Sequence, residues 1–318
     1  MGKLAFVFPG QGSQYAGMGK ELAEKFPVAR AVFEEADQAL GFPLSRLCFE
    51  GPEEELKLTA NTQPAVLACS VAAYCVLEEK GLAPDYVAGH SLGEYSALVA
   101  SGCLSLREAI VTVRRRGEYM QDAVPAGQGA MAAILGLPAD RVKEICQQVA
   151  QGQVVSPANL NSSEQTVIAG HAPAVERALE AAQAAGAKRA LRLPVSAPFH
   201  CELMEPAVLP LTRELEKIRF GDLKVPLVSN VDADLIEAAA EARQALLRQV
   251  AAPVRWEESM RKLIQLGCDR VVEVGPGKVL TGLWRQIDRN LTVLNVEDVA
   301  SLEKTLAALA GYARETVS

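Results

Sequence analysis

Residues 86–94 read Tyr-Val-Ala-Gly-His-Ser-Leu-Gly-Glu, the most informative segment of the chain for predicting its fold. It joins a short apolar strand to a helix through the pattern G-x-S-x-G, with Ser91 at its centre. The two glycines allow the sharp turn that such a junction needs. In this context the pattern predicts a nucleophile elbow, which exposes the Ser91 hydroxyl beside the positive N-terminal end of a helix.

Short apolar runs alternate with segments of helical periodicity over most of the chain. This alternation is typical of α/β proteins, in which helices cover a largely parallel sheet. With the elbow, it predicts an α/β-hydrolase-like core with a parallel sheet. The predicted strands are residues 4–8, 86–89, 225–229 and 270–274, and the predicted helices are residues 19–40, 63–80, 106–123 and 238–251.

The order of elements changes between Gly129 and Pro194. A β-α-β-β-α-β order is predicted there, which defines a ferredoxin-like unit. We therefore predict a small ferredoxin-like subdomain, residues 128–194, inserted into a large α/β-hydrolase-like subdomain, residues 1–127 and 195–318, with a cleft between the two. The six predicted elements are residues 130–135, 139–150, 154–159, 166–170, 172–185 and 189–193.

Composition and charge narrow the function classes. The chain has 318 residues, of which 49% are hydrophobic and 22% are charged, the profile of a globular protein with a large core. Its 32 basic and 39 acidic residues give a net charge of -7, whereas nucleic-acid binders are usually basic. We therefore expect no nucleic-acid partner.

The sequence predicts neither a metal site nor a membrane span. The seven cysteines are scattered and form no C-x-x-C pair, so we expect neither a disulfide framework nor a zinc site. Residues 58–77 carry no charge, but polar residues occupy the first third, which favours a buried core helix over a membrane span. The apolar run at residues 4–8 is too short for the core of a signal peptide, so we expect a cytoplasmic protein.

A serine hydroxyl becomes a strong nucleophile only when a base takes its proton, and the chain has three histidines. His90 adjoins Ser91 and is expected to point away from it, while His171 is expected at a solvated helix start. His200 follows the small unit where the chain returns to the large one, so its side chain can face the cleft. We therefore predict His200 as the base, with a buried structural histidine as the alternative.

The loop at residues 8–12, Phe-Pro-Gly-Gln-Gly, ends the first predicted strand. Its glycines fit a phosphate loop, an oxyanion loop or a tight turn. A dinucleotide fingerprint would need a glycine where Tyr15 stands, and the chain has no P-loop pattern, so no nucleotide cofactor is predicted. A backbone N–H of Gln11 aimed beside Ser91 would instead stabilise a developing oxyanion.

Helical geometry separates three consecutive arginines in the predicted helix 106–123. Each residue turns about 100°, so Arg115 falls opposite the apolar stripe centred on Val113, while Arg116 lies beside that stripe. We therefore expect Arg116 to be at least partly buried. A buried guanidinium needs an anionic partner, and the periodicity leaves open whether this is a structural carboxylate or the carboxylate of a ligand.

Six motifs resemble, in the same order, those of the malonyl-CoA:acyl carrier protein transacylases of fatty acid synthesis. The resemblance spans nearly the whole chain, and the order makes it far more specific than any single motif. Acyltransferase modules of polyketide synthases share the motifs, but a free-standing chain of this length resembles the separate bacterial enzyme. The motifs are Phe8-Pro9-Gly10-Gln11-Gly12-Ser13-Gln14, Thr62-Gln63-Pro64-Ala65, Gly89-His90-Ser91-Leu92-Gly93-Glu94, Ala197-Pro198-Phe199-His200, Ser229-Asn230-Val231 and Val274-Gly275-Pro276-Gly277.

The resemblance implies a ping-pong reaction without a cofactor. Ser91 takes a malonyl group from malonyl-CoA, and the acyl-enzyme passes it to the phosphopantetheine thiol of acyl carrier protein. His200 serves as general base and then as general acid. The backbone carbonyl of Gln249 orients His200, so no aspartate completes a triad.

The same resemblance assigns the groups that hold the substrate. The oxyanion donors are the backbone N–H groups of Gln11 and Leu92. Arg116 matches the arginine that binds the malonyl carboxylate, and Phe199 precedes His200 as in members that select malonyl. Two amides, Gln63 and Asn230, match positions near the active site, although each is equally well interpreted as a loop-capping amide.

Three other functions remain as alternatives. A serine hydrolase such as a thioesterase begins with the same elbow and base, but the hydrolase order would need an acid such as Asp122 or Asp140. A non-catalytic module that binds carrier proteins is disfavoured by the joint presence of four residues: Ser91, His200, Gln11 and Arg116. An acyltransferase serving a polyketide pathway would use the same residues.

Overall fold

The computed structural model describes residues 2–195 and 197–311. Met1, Ser196 and residues 312–318 of the predicted large subdomain lie outside the described residues. The strands are β1 Lys3–Phe8, β2 Tyr86–Gly89, β3 Gly129–Leu135, β4 Val155–Ser162, β5 Gln165–His171, β6 Arg189–Arg192, β7 Leu227–Val228, β8 Leu235–Ile236, β9 Cys268–Val274 and β10 Thr292–Val296.

The helices lie between the strands and after the last of them, and a short 3₁₀ helix spans Glu202–Met204. They are α1 Lys20–Lys25, α2 Pro27–Leu40, α3 Leu44–Glu50, α4 Glu53–Leu56, α5 Thr59–Glu79, α6 Gly93–Ala100, α7 Leu106–Asp122, α8 Ala139–Val149, α9 Ala172–Ala184, α10 Glu205–Lys217, α11 Ala239–Gln249, α12 Trp256–Gln265, α13 Val279–Ile287 and α14 Val299–Ala308.

The larger sheet has six strands in the order β10-β9-β1-β2-β7-β8. All neighbouring pairs in it are parallel except β7 with β8, which are antiparallel. The central strand β1 pairs with β2 from Ala5 opposite Tyr86 to Phe8 opposite Gly89. The loop after β1 and the elbow after β2 therefore leave the same edge of the sheet side by side.

Both faces of this sheet are buried, because side chains alternate along β1. Leu4, Phe6 and Phe8 pack into the main core with the apolar residues of α5. Ala5 and Val7 face a second cluster, which contains Trp256 of α12 and Trp284 of α13. The helices on both faces hold the carboxyl ends of β1 and β2 fixed.

The smaller sheet has four antiparallel strands in the order β4-β5-β3-β6. Ala132 and Ile134 of β3 pack against α8 and α9, whereas Met131 faces the main core. The predicted fold class, an α/β-hydrolase-like core with a parallel sheet plus an inserted ferredoxin-like unit, is confirmed, and the antiparallel strand β8 makes the larger sheet mixed. We propose that the boundaries of this subdomain fall at residues 128 and 194, since β3 begins at Gly129 and β6 ends at Arg192.

Helix α5 is long and apolar enough to cross a membrane by length and composition, but 78% of its most apolar window is buried inside the protein. The prediction of a core helix is therefore confirmed.

Helix α7 begins where the sequence predicts, because Ser105 caps it by accepting a hydrogen bond from the Glu108 N–H at 3.2 Å.

One predicted helix is broken in the structure, and two strands were not predicted. The helix predicted over residues 19–40 is broken into α1 and α2, because Phe26 is extended before Pro27, whose ring disfavours helical backbone in the preceding residue. The parallel edge strand β10 and the short β8 were missed. Strand β8 is only two residues long and is defined by its pairing with β7, whereas β10 is a five-residue strand that pairs with β9 at the edge of the sheet.

Gly89 and Gly93 permit the elbow because no side chain fits there. A Cβ on Gly89 would lie 1.9 Å from the carbonyl carbon of Gly93, and a Cβ on Gly93 would lie 2.0 Å from the carbonyl oxygen of Phe8. Both contacts are with backbone atoms, which cannot move without shifting β1 or α6. The G-x-S-x-G pattern is thus a packing requirement at the junction of β1, β2 and α6.

We expect Gly93→Ala to lower the free energy of unfolding by about 3 kcal/mol or more, because the added methyl group overpacks rigid backbone. Gly282→Ala is the matched control, since a Cβ at this exposed position in α13 meets nothing within 4 Å. It should stabilise the protein by roughly 0.5–1 kcal/mol. Chemical denaturation measures both, and a Gly93→Ala protein as stable as the wild type would contradict this account of the elbow.

Candidate active site

Ser91 lies at the apex of the elbow with a strained backbone. Its φ of 52° is in the left-handed region, which residues with side chains rarely adopt. Two amide side chains hold this conformation. Asn230 Oδ1 accepts from the Ser91 N–H at 2.7 Å, and Asn230 Nδ2 donates to the Gly89 carbonyl at 2.6 Å. Gln249 Nε2 donates to the Ser91 carbonyl at 3.0 Å, so the surroundings fix the turn on three sides.

His200 contacts the Ser91 hydroxyl, with Nε2 2.6 Å from Oγ. Its other ring nitrogen, Nδ1, lies 2.8 Å from the backbone carbonyl oxygen of Gln249. A carbonyl can only accept, so Nδ1 carries the proton and Nε2 presents a lone pair to the hydroxyl. Burial, reinforced by the charge of Arg116, lowers the pKa of His200 to about 3. The imidazole is therefore neutral and able to take the Ser91 proton.

The other two histidines lie elsewhere. His90 points away from Ser91, with Nε2 2.9 Å from Asn161 Oδ1 of β4 and its ring near Trp256. His171 stands at the start of α9, where Nδ1 accepts from the Val154 N–H at 3.0 Å. Of the three histidines, His200 is the one that reaches the elbow serine.

Arg116 of α7 is 2% exposed, whereas the neighbouring Arg115 is exposed, as the helical geometry predicts. Its Nη1 donates to Gln63 Oε1 at 2.8 Å, and its Nη2 donates to Gln249 Oε1 at 2.9 Å and to Ser91 Oγ at 3.1 Å. These acceptors are all neutral. Within residues 2–195 and 197–311, Arg116 forms no salt bridge with a carboxylate.

The contacts of Arg116 help to decide whether its anionic partner is a structural carboxylate or the carboxylate of a ligand. Burial lowers the pKa of Arg116, but a guanidinium begins so far above neutrality that it stays charged. A buried cation bonded only to neutral oxygens has free capacity for an anion. Because Nη2 touches the Ser91 hydroxyl, that anion would lie beside an acyl group on Ser91. The geometry thus favours a ligand carboxylate over a structural one.

The site opens into a cavity of about 100 Å³ between the two sheets. It shares Gln11, Leu193 and Val195 with a larger cavity of about 520 Å³, which Lys57 and Arg192 also line. The larger cavity forms an approach to Ser91 from the cleft. The smaller one is lined by Gln11, Gln63, His90, Ser91, Leu92, Arg116, Met120, Met131, Asn159, Leu193, Val195, Phe199 and His200.

The predicted residues occupy different positions around this cavity. Gln11, Leu92 and Phe199 line it, whereas Asn230 is fully buried behind the elbow and is not among its lining residues. The bonds of Asn230 brace the turn, as a loop-capping amide does. Gln63 lies in α5 rather than in a loop, and it contacts Arg116.

Sequence reasoning missed Glu94, which is fully buried in the first turn of α6. Its Oε2 accepts from the Asn230 N–H and from Gln249 Nε2, each at 3.0 Å. Burial raises the pKa of this carboxyl to about 7. The available signal was an acidic residue between the elbow and the apolar run at residues 97–100.

An elbow serine paired with a neutral histidine, beside a buried cation in an α/β fold, is an arrangement that is chemically able to transfer an acyl group. The acyl transferase domain family matches residues 5–312, so the chain belongs to that family.

Similar proteins carry a more specific name. The chain is 51% identical to the malonyl CoA-acyl carrier protein transacylase of Bacillus subtilis (strain 168), over 97% of this chain and 98% of that protein. It is 50% identical to the protein of the same name from Escherichia coli (strain K12), over 96% of this chain and 99% of that protein.

Solved structures agree. The malonyl-transacylase PlMCAT, in complex with the holo form of the type II PKS acyl-carrier protein AntF, superimposes with a TM-score of 0.94 at 51% identity, covering 96% of this chain and 99% of that chain. An acyl carrier protein S-malonyltransferase from Vibrio cholerae gives a TM-score of 0.93 at 48% identity, covering 95% and 99%.

We expect phosphonylation of Ser91 Oγ by a fluorophosphonate reagent, with loss of fluoride, to show no step from the titration of His200 between about pH 5 and pH 8, because His200 with a pKa of about 3 stays neutral throughout. The measurement is the rate of active-site labelling against pH. Glu94→Gln is run in parallel, so that a step present in the wild type and absent from the variant is assigned to Glu94. A fall with a midpoint near 6.5 in both proteins would contradict the lowered pKa of His200.

Proposed function

We propose that this enzyme transfers a malonyl group from malonyl-CoA to the phosphopantetheine thiol of acyl carrier protein, through a malonyl ester on Ser91. The names of the similar proteins support the substrates. The observation that carries the proposal is the buried Arg116, which lies 3.1 Å from the Ser91 hydroxyl and forms no salt bridge within the described part of the chain.

In the first half-reaction, Ser91 Oγ attacks the thioester carbonyl carbon while His200 Nε2 takes the hydroxyl proton. The carbonyl oxygen becomes an oxyanion, which the backbone N–H groups of Gln11 and Leu92 stabilise. Collapse of the tetrahedral intermediate breaks the carbon–sulfur bond. The departing sulfur takes the proton from His200, leaving free CoA and malonyl-Ser91.

The second half-reaction reverses these steps with a different thiol. The phosphopantetheine thiol gives its proton to His200, and its sulfur attacks the ester carbonyl carbon of malonyl-Ser91. The oxyanion forms in the same place. When the carbon–oxygen bond breaks, Ser91 Oγ recovers the proton, so the enzyme returns to its starting state with malonyl on the carrier.

Malonyl and acetyl groups differ by one carboxylate, and Arg116 distinguishes them. Its planar guanidinium can make two parallel hydrogen bonds to a carboxylate, whereas an acetyl group leaves the buried cation unpaired. Gln63 and Gln249 hold the guanidinium in place from two sides. The buried Phe199 lines the cavity and limits the room for a larger acyl group.

A serine hydrolase is the less favoured function. The ring nitrogen of His200 that a hydrolase would pair with an acid faces the Gln249 carbonyl instead. The two candidate acids, Asp122 and Asp140, are exposed at the end of α7 and the start of α8. The cationic Arg116 beside Ser91 also suits an acyl group that carries a negative charge, such as malonyl.

We assign the malonyl product to fatty acid elongation, following the family that the six motifs resemble. A role in a polyketide pathway is the second candidate, because one similar solved structure is a complex with a type II PKS carrier. We place the enzyme in the cytoplasm, where a reducing environment suits its seven free cysteines. The proposed reaction involves malonyl-CoA, acyl carrier protein and residues of this chain, and it uses no cofactor.

Mixing the enzyme with malonyl-CoA should add one malonyl group to the peptide that contains Ser91, as detected by mass spectrometry. Ser91→Ala should abolish the adduct. Supplying pantetheine should then transfer the group to the thiol, whereas a hydrolase would release malonate rapidly with or without it. An adduct on Cys201, next to the base, would contradict the assignment of the nucleophile.

Arg116→Ala should reverse the acyl preference of the enzyme. Two charge-assisted hydrogen bonds of about 1.5–3 kcal/mol each predict a loss of roughly 10² to 10⁴ in malonyl transfer, while acetyl transfer persists or rises. Arg116→Lys should recover part of the loss, since lysine lacks the fork geometry. The measurement is the ratio of kcat/KM for malonyl-CoA and acetyl-CoA.

Arg115→Ala is the matched control, because Arg115 occupies the same helix and is exposed. It should keep the wild-type ratio. If Arg116→Ala also kept the preference for malonyl-CoA, the selecting cation would have to be another residue.

A further inference from the structure

Glu94 is a buried carboxylate that the proposed reaction does not use. It is fully buried in the first turn of α6, three residues after Ser91. Its Oε1 is buried and has no hydrogen-bond partner among the residues the structure describes, while Oε2 accepts two hydrogen bonds. Burying a carboxylate that is only half bonded is costly, so a chain keeps one where it does something that a smaller residue cannot.

The two donors to Oε2 come from different parts of the chain. One is the Asn230 N–H at 3.0 Å, and the other is Gln249 Nε2 at 3.0 Å. Asn230 in turn braces the Ser91 N–H, and Gln249 contacts Arg116. A single carboxylate oxygen therefore connects the residues that hold the nucleophile with those that hold the cation.

The side-chain amide of Gln249 has only one useful orientation here. Its Oε1 accepts from Arg116 Nη2, which can only donate. Its Nε2 donates to Glu94 Oε2 and to the Ser91 carbonyl, which can only accept. A flipped amide would place its NH₂ group against the guanidinium and its oxygen against two acceptors. Glu94 thus helps to keep an acceptor aimed at Arg116.

We propose that Glu94 is a positioning residue for acyl-group selection, which holds the Gln249 amide so that Arg116 is presented to the substrate carboxylate beside Ser91. The inference rests on the proposed function, because it concerns how the malonyl-binding arginine is placed. Glu94 forms no salt bridge with Arg116 within the described residues, although the two charges attract each other, so the hydrogen-bonded connection between them runs through Gln249.

A second buried carboxylate in the chain provides the contrast. Glu273 of β9 accepts from the N–H groups of Leu280 and Thr281 and from the Thr281 hydroxyl, at 2.7–3.0 Å. Both of its oxygens are bonded, and all its partners belong to the first turn of α13. Glu273 therefore anchors a helix and has no connection to Arg116.

Two substitutions at Glu94 separate the hydrogen bonds from the charge. Glu94→Gln keeps an acceptor oxygen for both donors and removes the charge, so the preference for malonyl-CoA over acetyl-CoA should stay within about threefold of the wild type or widen. Glu94→Leu removes the acceptor and should narrow the preference at least about tenfold, because the Gln249 amide loses the partner that orients it. The readout is the ratio of kcat/KM for the two substrates.

Glu273→Leu is the matched control for the loss of a buried carboxylate. It should lower the stability of the protein while the substrate ratio stays at the wild-type value. A ratio unchanged in Glu94→Leu would overturn the inference, as would a ratio that Glu94→Gln narrows as much as Glu94→Leu does. A wild-type enzyme with no preference for malonyl-CoA would instead refute the proposed function.

Gln249→Met keeps the inference testable should Glu94→Leu fail to fold. It removes the side-chain amide and leaves the backbone carbonyl that contacts His200. We expect it to narrow the preference as Glu94→Leu does, and the double variant to be no worse than either single variant. If Gln249→Met kept the wild-type ratio, the connection from Glu94 to Arg116 would not position the arginine.

Discussion

A buried guanidinium bonded only to neutral oxygens is the interaction on which the site depends. Arg116 is surrounded by the amide oxygens of Gln63 and Gln249 and by the Ser91 hydroxyl. Such a cation is costly to bury, and a substrate that brings a carboxylate offsets that cost. We therefore propose that substrate selection comes from this charge, which forms no salt bridge within the described residues and lies next to Ser91.

The fold holds this charge in place by converging on one edge of the larger sheet. Strands β1 and β2 end together there, so the Gln11 loop and the Ser91 elbow are neighbours. Helix α7 brings Arg116, the chain returning from the small sheet brings His200, and the end of α11 brings Gln249. Because these elements are rigid, the groups are positioned before the substrate arrives, which lowers the cost of reaching the transition state.

Local signals predicted much of this arrangement. G-x-S-x-G with a strand before it placed the elbow, and a turn of about 100° per residue was enough to predict the burial of Arg116. The count of three histidines led to His200. Other parts depend on contacts between distant residues, which no local pattern records. The Gln249 amide lies 133 residues along the chain from its partner Arg116. Glu94 accepts hydrogen bonds from Asn230 and Gln249, which are also distant from it in sequence. Strand β10 is defined by its pairing with β9.

A crystal structure of the enzyme carrying malonyl on Ser91 would test directly whether Arg116 binds the substrate carboxylate. We expect the malonyl carboxylate at about 3 Å from both terminal nitrogens of Arg116, with the ester carbonyl oxygen directed at the N–H groups of Gln11 and Leu92. A carboxylate directed out of the small cavity toward Lys57 and Arg192, with Arg116 still bonded only to Gln63 and Gln249, would contradict this role of Arg116.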